Sequence, residues 1–320
     1  MNNFSDKIYK LFVLSKLKGV GPKTLLKISN HPDFSDCSLG DCGQLHPGIA
    51  KVLLEPSSLK EAEDKAAQDI KNTQENNARI LCVDDGDYPP LLKDSPSPPF
   101  FLYLKGSSSV LKAKSVAIIG TREPTQHGEI IAQRITKYFA ERGWAIVSGL
   151  AIGCDAIAHR TCIDSEGKTV AVLAHGLLEV VPAKHKGLAD DIVNSGGALV
   201  TEYGFDVKAF KHQFVMRDRI QAGLASGVIM IQSDLKGGSL HASRAAINNG
   251  RILAVPAPTN KDMANGEGKI QANKLLSQPE KPQKAELLEC KEDSLKNLFI
   301  INSKDDYQEL ESKLSSIEIF

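Results

Sequence analysis

Gly120-Thr121-Arg122 stands directly behind the apolar run Ser115–Ile119, and Gly128 opens the stretch that follows. The pattern recurs. Ser148-Gly149 through Gly153-Cys154-Asp155 follows Ala145–Val147, Ala174-His175-Gly176 follows Thr169–Leu173, and Gln232 through Gly237-Gly238-Ser239 follows Val228–Ile231. Glycine lets backbone N–H groups approach an anion, and unsatisfied N–H groups at a helix start attract negative charge. Arg122 adds a planar donor fork suited to phosphate. These residues predict an anion pocket built from Gly120, Thr121, Ser148, Gly149, Gly153, Gly237, Gly238 and Ser239. Any one loop, taken alone, reads first as a tight strand-to-helix turn. Phosphate chemistry is raised by the loops taken together, with an arginine in the first.

A second set of residues is cationic. Pro182-Ala183-Lys184-His185-Lys186 follows the apolar Leu177–Val181. Further on, Lys208, Lys211, His212, Phe214, Arg217 and Arg219 lie within a dozen residues. Helical spacing from Gln213 places Phe214 and Arg217 on adjacent turns of one face and rotates Arg219 away. Cations beside an aromatic ring suit a single-stranded nucleic acid, whose phosphates meet charge and whose bases stack on rings. The competing reading is a solvated helix start with Arg217 and Arg219 paired to Asp218 or Glu202. Asp155 and His159, four apart, read as a helix-capping carboxylate and an internally bonded imidazole rather than an acid–base pair. No serine or cysteine nucleophile has a matching base and no two carboxylates pair. No catalytic residue is assigned.

Other chemistries are disfavoured. The strict G-x-G-x-x-G fingerprint is absent, because Arg122 occupies the place where a second glycine would admit a pyrophosphate. There is no G-x-x-x-x-G-K-[ST], so an ATPase loop is excluded, and no cofactor is expected. The six cysteines, Cys37, Cys42, Cys82, Cys154, Cys162 and Cys290, show no C-x-x-C or zinc spacing. They read as reduced thiols of a cytoplasmic protein, with no metal. No signal peptide or membrane span is expected, since no apolar run approaches ~20 residues. The net formal charge is zero, which leaves any nucleic-acid site to a local concentration of Lys and Arg.

Positioning these loops requires a sheet. The 320 residues are 42% apolar and 24% charged, ordinary for a globular chain. Short β-branched runs (Arg79–Val83, Ser115–Ile119, Ala145–Val147, Thr169–Leu173, Ala198–Thr201, Val228–Ile231 and Arg251–Val255) alternate with helical stretches. One of these, Gly128–Arg142, lines up Ile131, Ile135 and Phe139. Strands separated by helices imply right-handed crossovers and a mainly parallel, doubly wound sheet. The fold class is therefore α/β and Rossmann-like, with ligands at the carboxyl ends of the strands. Three regions follow: a small N-terminal helical domain over 1–75, the Rossmann-like domain over 78–276, and a linker with a short charged tail over 277–320.

The residues resemble those of the DNA-processing protein A (DprA, or Smf) family. Tyr88-Pro89-Pro90-Leu91-Leu92 with Leu102 to Gly106 is similar to its opening segment, and Val116 to Arg122 to its first strand and Gly-Ser/Thr-Arg turn. Ser148 to Asp155 with Ala158-His159, Pro182 to Lys186, Phe214 with Arg217-Asp218-Arg219-Ile220, Gly237-Gly238-Ser239 and Arg251 to Pro256 continue the series in order. The resemblance implies an extended Rossmann domain that binds single-stranded DNA, forms a homodimer and helps load the RecA recombinase during natural transformation. It assigns Arg122, Lys184, Lys186, Arg217 and Arg219 to the DNA backbone. Leu17 to Leu26, with Gly19-Val20-Gly21, resembles a helix-hairpin-helix, and reads equally as a packing or dimerisation module. Departures mark a divergent member. Asp218 stands where Asn is usual, Gln232 where Glu is common, Val181 where Tyr usually precedes the proline, and Pro256-Ala257-Pro258 lacks the usual Pro-Gly. The tail is too short for the winged helix that many members carry. An enzymatic alternative is a nucleotide or nucleoside-phosphate hydrolase like the lysine-decarboxylase-like enzymes that release cytokinin bases. Lys236 to Ser243 lacks the Glu found at the corresponding turn of those enzymes. A nucleotide-sensing module is a third reading.

Overall fold

The computed structural model describes residues 4–317. Residues 1–3 and 318–320, the outermost parts of the expected helical domain and tail, lie outside the described residues.

Helices come first: α1 (Asp6–Leu14), α2 (Pro22–Ser29), α3 (Cys42–Leu45), α4 (Pro47–Leu53) and α5 (Ser58–Glu75). The strands are β1 (Ala78–Cys82), β2 (Phe101–Gly106), β3 (Ser115–Ile119), β4 (Ala145–Ser148), β5 (Thr169–Val172), β6 (Ala198–Thr201), β7 (Gly227–Met230), β8 (Ile252–Pro256) and β9 (Leu298–Ile301). Between β1 and β2 lies α6 (Pro90–Lys93). The crossovers of the sheet are α7 (Gln126–Ala140), α8 (Cys154–Asp164), α9 (Lys186–Asn194), α10 (Lys211–Gly223) and α11 (Ser239–Asn248). Four shorter helices end the chain: α12 (Asn260–Ala264), α13 (Gln271–Leu276), α14 (Lys281–Leu287) and α15 (Tyr307–Ser315).

The strands form one sheet in the order β1-β2-β6-β5-β4-β3-β7-β8-β9. From β6 to β9 all pairs are parallel, and β2 joins β1 and β6 antiparallel. Strands buried on both faces must supply apolar residues to each side, and β3 does so by alternation. Val116 and Ile118 pack with Ile135 and Phe139 of α7, whereas Ala117 and Ile119 share a core with Ile220 of α10 and Leu240 of α11. The order runs outward from β3 through β4, β5 and β6 in one direction, then restarts beside β3 with β7. That reversal is the switch point where doubly wound sheets open a crevice.

Two expectations need correcting. Residues 277–317 are not a linker and charged tail. Leu298–Ile301 pairs parallel with β8, and Tyr307, Leu310 and Leu314 of α15 are buried against Ile229 and Ile252. Its four apolar residues sit among Lys, Glu and Asp, so composition hid the strand, and β8 would otherwise carry an unpaired edge. Phe101–Gly106, read only as part of a motif, is β2, the link between β1 and the parallel strands. The N-terminal helices dock on this same strand, where the Phe12 ring lies edge-on to Phe101 at 5.1 Å.

Because Leu310 is fully buried, Leu310→Ala is expected to cost about 2–5 kcal/mol in urea unfolding. An undocked tail would give a change within about 0.5 kcal/mol.

Candidate functional site

A cleft of about 400 Å³ opens at the carboxyl ends of β3, β4 and β7, at the switch point. The turn after β3 supplies Gly120, Thr121, Arg122 and Glu123. The loop after β4 supplies Ala151 and Asp155, and the loop after β7 supplies Ser233, Asp234 and Gly237 to Ser239. α10 closes the side with Phe214, Arg217, Asp218 and Gln221.

Close backbone approach explains two of the glycines. A Cβ on Gly120 would sit 2.6 Å from Cys154 Sγ, and one on Gly153, whose φ is +79°, 2.5 Å from the Thr121 carbonyl oxygen. The β3 turn therefore rests directly on the start of α8, where Cys154 N–H donates to Thr121 O at 3.2 Å. Thr121 N–H donates to Gln232 O at 2.8 Å. Gln232 also accepts from Thr125 N–H at 3.0 Å and donates to Thr125 Oγ1 at 2.9 Å. These bonds hold the β3 and β7 loops in one arrangement. α11 begins at the cleft with no acidic residue in its first turn, and Ser239 Oγ meets Ser233 Oγ at 2.9 Å. That end of the helix favours an anion.

Charge is concentrated on the floor. Arg217 is buried, donates through Nη1 to Val172 O at 2.6 Å, and pairs through Nε with Asp218 Oδ1 at 3.1 Å. With its amide oxygen turned inward, Gln221 accepts from Arg217 Nη1 at 2.7 Å and from Gly149 N–H at 3.3 Å. Gly149 is the seat of this guanidinium, since a Cβ there would lie 1.9 Å from Nη1. Asp155 is buried beside it and accepts from Ala151 N–H at 3.2 Å. Burial raises the Asp155 carboxyl, opposed by Arg217. Burial also pushes Asp218 up to about 7, with Arg217 opposing and Asp155 adding to the rise. At the rim, Lys269 pairs with Asp234 at 3.4 Å and Glu123 at 3.7 Å. Arg122 is different. It is exposed, has no ion-pair partner among the described residues, and lies 5.7 Å over the Phe214 ring.

Gly120, Thr121, Arg122, Phe214, Arg217, Gly237, Gly238 and Ser239 thus come together as one cleft. Ser148 does not face it: its Oγ is buried and donates to Ile118 O at 2.6 Å. Gly149 and Gly153 act from behind, as backing for Arg217 and the β3 turn. Arg219 donates to Ser97 O at 2.7 Å and pairs with Glu202, so the competing ion-pair reading holds for it. Arg217 too is engaged with an acid, as the competing reading had it, and lies on the cleft floor. Lys184 and Lys186 stand exposed outside the lining, on the turn entering α9, tied in by His185 Nδ1 against Leu150 O at 2.8 Å. Asp155 is not a cap. It lies inside α8, whose first turn follows Gly153.

Sequence reasoning missed Lys269 and the Asp155–Asp218 pair. The two carboxylates are 63 positions apart (218 − 155 = 63) and meet only because α8 and α10 flank one crevice. The Asp218 departure from the usual Asn was the signal that pointed there. His159 is fully buried with Nδ1 at 2.7 Å from Thr169 Oγ1, and burial holds its imidazole down at about 3. Among the described residues no cluster of three His, Cys, Asp or Glu is placed to hold a metal, and no helix is long and apolar enough to cross a membrane.

A family model described as DNA recombination-mediator protein A matches residues 79–294. The chain is 33% identical over 275 residues to Protein Smf of Synechocystis sp., covering 82% of this chain and 67% of that one. It is 33% identical over 210 residues to Protein Smf of Escherichia coli, covering 65% and 56%. To the DNA processing protein DprA of Bacillus subtilis it is 35% identical over 199 residues, covering 62% and 67%. The matches therefore span between about half and two thirds of these relatives' lengths. Among solved structures, DNA processing protein A of Streptococcus pneumoniae superposes with a TM-score of 0.71 at 25% identity, over 96% of this chain and 98% of that one. DNA processing protein A of Helicobacter pylori, solved for its single-stranded DNA binding mode, superposes with a TM-score of 0.60 at 25% identity, over 73% and 96%.

The raised Asp218 carboxyl has a definite sign in stability. Between the ordinary carboxylate range and about pH 7 the folded chain holds a proton that the unfolded chain has lost, so stability falls as pH rises and levels off above about 7. Asp218→Asn removes this dependence. Urea unfolding of both proteins between pH 5 and 8 is expected to show the variant gaining on the natural chain by roughly 1 kcal/mol per pH unit up to about 7. Parallel curves would place Asp218 in a solvated setting.

Proposed function

Because this chain belongs to the DNA recombination-mediator protein A family, we propose that it binds single-stranded DNA at the switch-point cleft and acts in recombination without catalysing a reaction. Arg122 carries the proposal. A cation with no acidic partner among the described residues, lying over the Phe214 ring at the mouth of a glycine-lined cleft, offers a phosphate its charge and a base a ring edge. Lys184 and Lys186, exposed beside the ends of β4 and β5, extend the cationic path as backbone contacts. Single strands suit such a site better than a duplex, because unstacked bases reach the ring.

Two finer statements rest on the family resemblance. The chain is proposed to assemble as a homodimer, and to help place RecA on the strand it holds. RecA filament formation on DNA coated with single-strand-binding protein is expected to be faster with the chain present. Equal rates would remove RecA from the account.

The paired Asp155 and Asp218 support a second reading, a nucleotide or nucleoside-phosphate hydrolase, since a carboxyl titrating near 7 suits a general base. Incubation with a panel of nucleoside phosphates is expected to leave them intact. Release of base or phosphate, abolished by Asp218→Asn, would favour the enzyme.

Arg122→Glu is expected to weaken oligo-dT binding at least roughly tenfold and to lower the salt slope, each lost contact removing about 0.7 from it. Lys184→Glu is expected to act in the same direction and more weakly, because it stands outside the cleft. Fluorescence anisotropy at several salt concentrations reads both quantities, and an unchanged affinity for Arg122→Glu would reject the cleft as the binding site.

A further inference from the structure

The start of α10 carries side chains that the cleft does not use. Phe210 is 58% exposed, a costly position for a large apolar ring. Its ring lies near that of His212, with centroids 6.2 Å apart and planes only 18° from parallel. The ring takes no part in capping the helix, since it is the backbone N–H of Phe210 that donates to Gln213 Oε1, at 2.6 Å. Lys208 and Lys211 are exposed on either side in sequence, and the first turn of α10 holds no acidic residue. One turn further on, Phe214 already belongs to the cleft, under Arg122.

We propose that Phe210 and His212, flanked by Lys208 and Lys211, form a base-stacking platform that receives the nucleotides leaving the cleft past Phe214. The inference rests on the reading of the cleft as a single-stranded DNA site and adds a second contact region to it. Exposed rings beside cations that have no ion-pair partner among the described residues suit a flexible polyanion with flat bases, whereas a protein partner of apolar character would leave the two lysines without a counter-charge. Every base has a π-face, so such a platform grips a strand without reading its sequence. The cleft and the platform together set a minimum strand length that the cleft alone does not need.

The test compares the natural chain with Phe210→Ala, His212→Ala, Phe210→Trp and Arg122→Glu on three probes. These are oligo-dT of roughly four and roughly sixteen nucleotides, the range of sites that such grooves occupy, and an abasic strand of the longer length. Phe210→Ala is expected to weaken the longer oligo-dT roughly fivefold to 150-fold, the effect of one lost base stack. It should leave the short oligonucleotide and the abasic strand nearly unchanged, while Phe210→Trp keeps full affinity. An unaltered circular-dichroism melt shows that the loss is not unfolding, and His212→Ala supplies the same reading from the neighbouring ring. Full affinity of Phe210→Ala and His212→Ala for the longer strand, with Arg122→Glu impaired, overturns the platform and leaves the cleft standing. Full affinity of all the variants overturns both. A loss as large on the abasic strand, or a loss of dimer mass in light scattering with DNA binding intact, also overturns the platform.

Discussion

Arg217 carries its charge to a place that water barely reaches, and the carboxyl ends of the central strands are arranged around that fact. A buried guanidinium is tolerated only when its donors are met and its charge is opposed. Val172 O, Gln221 and Asp218 meet the donors, and Asp155 adds a further opposing charge. Gly149 leaves the space, since any side chain there would strike the guanidinium. α10 is thereby locked across the ends of β4 and β5, and Phe214, a little under one turn before Arg217 on the same helix, is fixed at the cleft wall. The floor is nearly neutral because its cation is spent on structure. Attraction for an anion falls instead to Arg122, the α11 N-terminus and the lysines outside.

The segment that leads into α10 is secured by the N-terminal helices. Asp69 of α5 accepts from Phe205 N–H at 3.0 Å and from Tyr103 Oη of β2 at 2.6 Å, and pairs with Lys16 at 2.5 Å. Lys16 also lies 4.1 Å over the Phe12 ring, and burial lowers its ammonium. Since a buried pair broken on one side leaves an uncompensated charge, the N-terminal helices, β2 and the chain after β6 behave as one unit. The helical domain therefore supports the cleft without touching it.

Much of the site was legible because its local requirements are strict. The β3 turn and the β7 loop need glycine for close contact, and both were readable from strand ends followed by Gly-Thr-Arg and Gly-Gly-Ser. Arg122 and Phe214 stood out by chemistry and proved to be neighbours. The role of each cation was less legible. Arg217 and Arg219 share a helix with Phe214, yet their acids are Asp218 next door and Glu202 at the end of β6. Ser148 had the residue type of an anion ligand, but its hydroxyl is turned into the sheet by the carbonyl of Ile118. Strand β9 was hidden because four apolar residues carry little periodic signal, and the partner that gives them meaning is β8.

The sequence by itself determined the alternation of strand and helix, the parallel sheet, the glycine-bearing turns and the family, because each of these is set by residues close along the chain. Only the tertiary structure decided which charges are free. Whether an arginine faces solvent or an acid depends on what the fold brings within about 4 Å, and at this site those partners are Asp218 of α10 and Glu202, just past the end of β6. Arg122 remains available and Arg217 does not because desolvation, which acts through space and not along the chain, compels one of them to be neutralised.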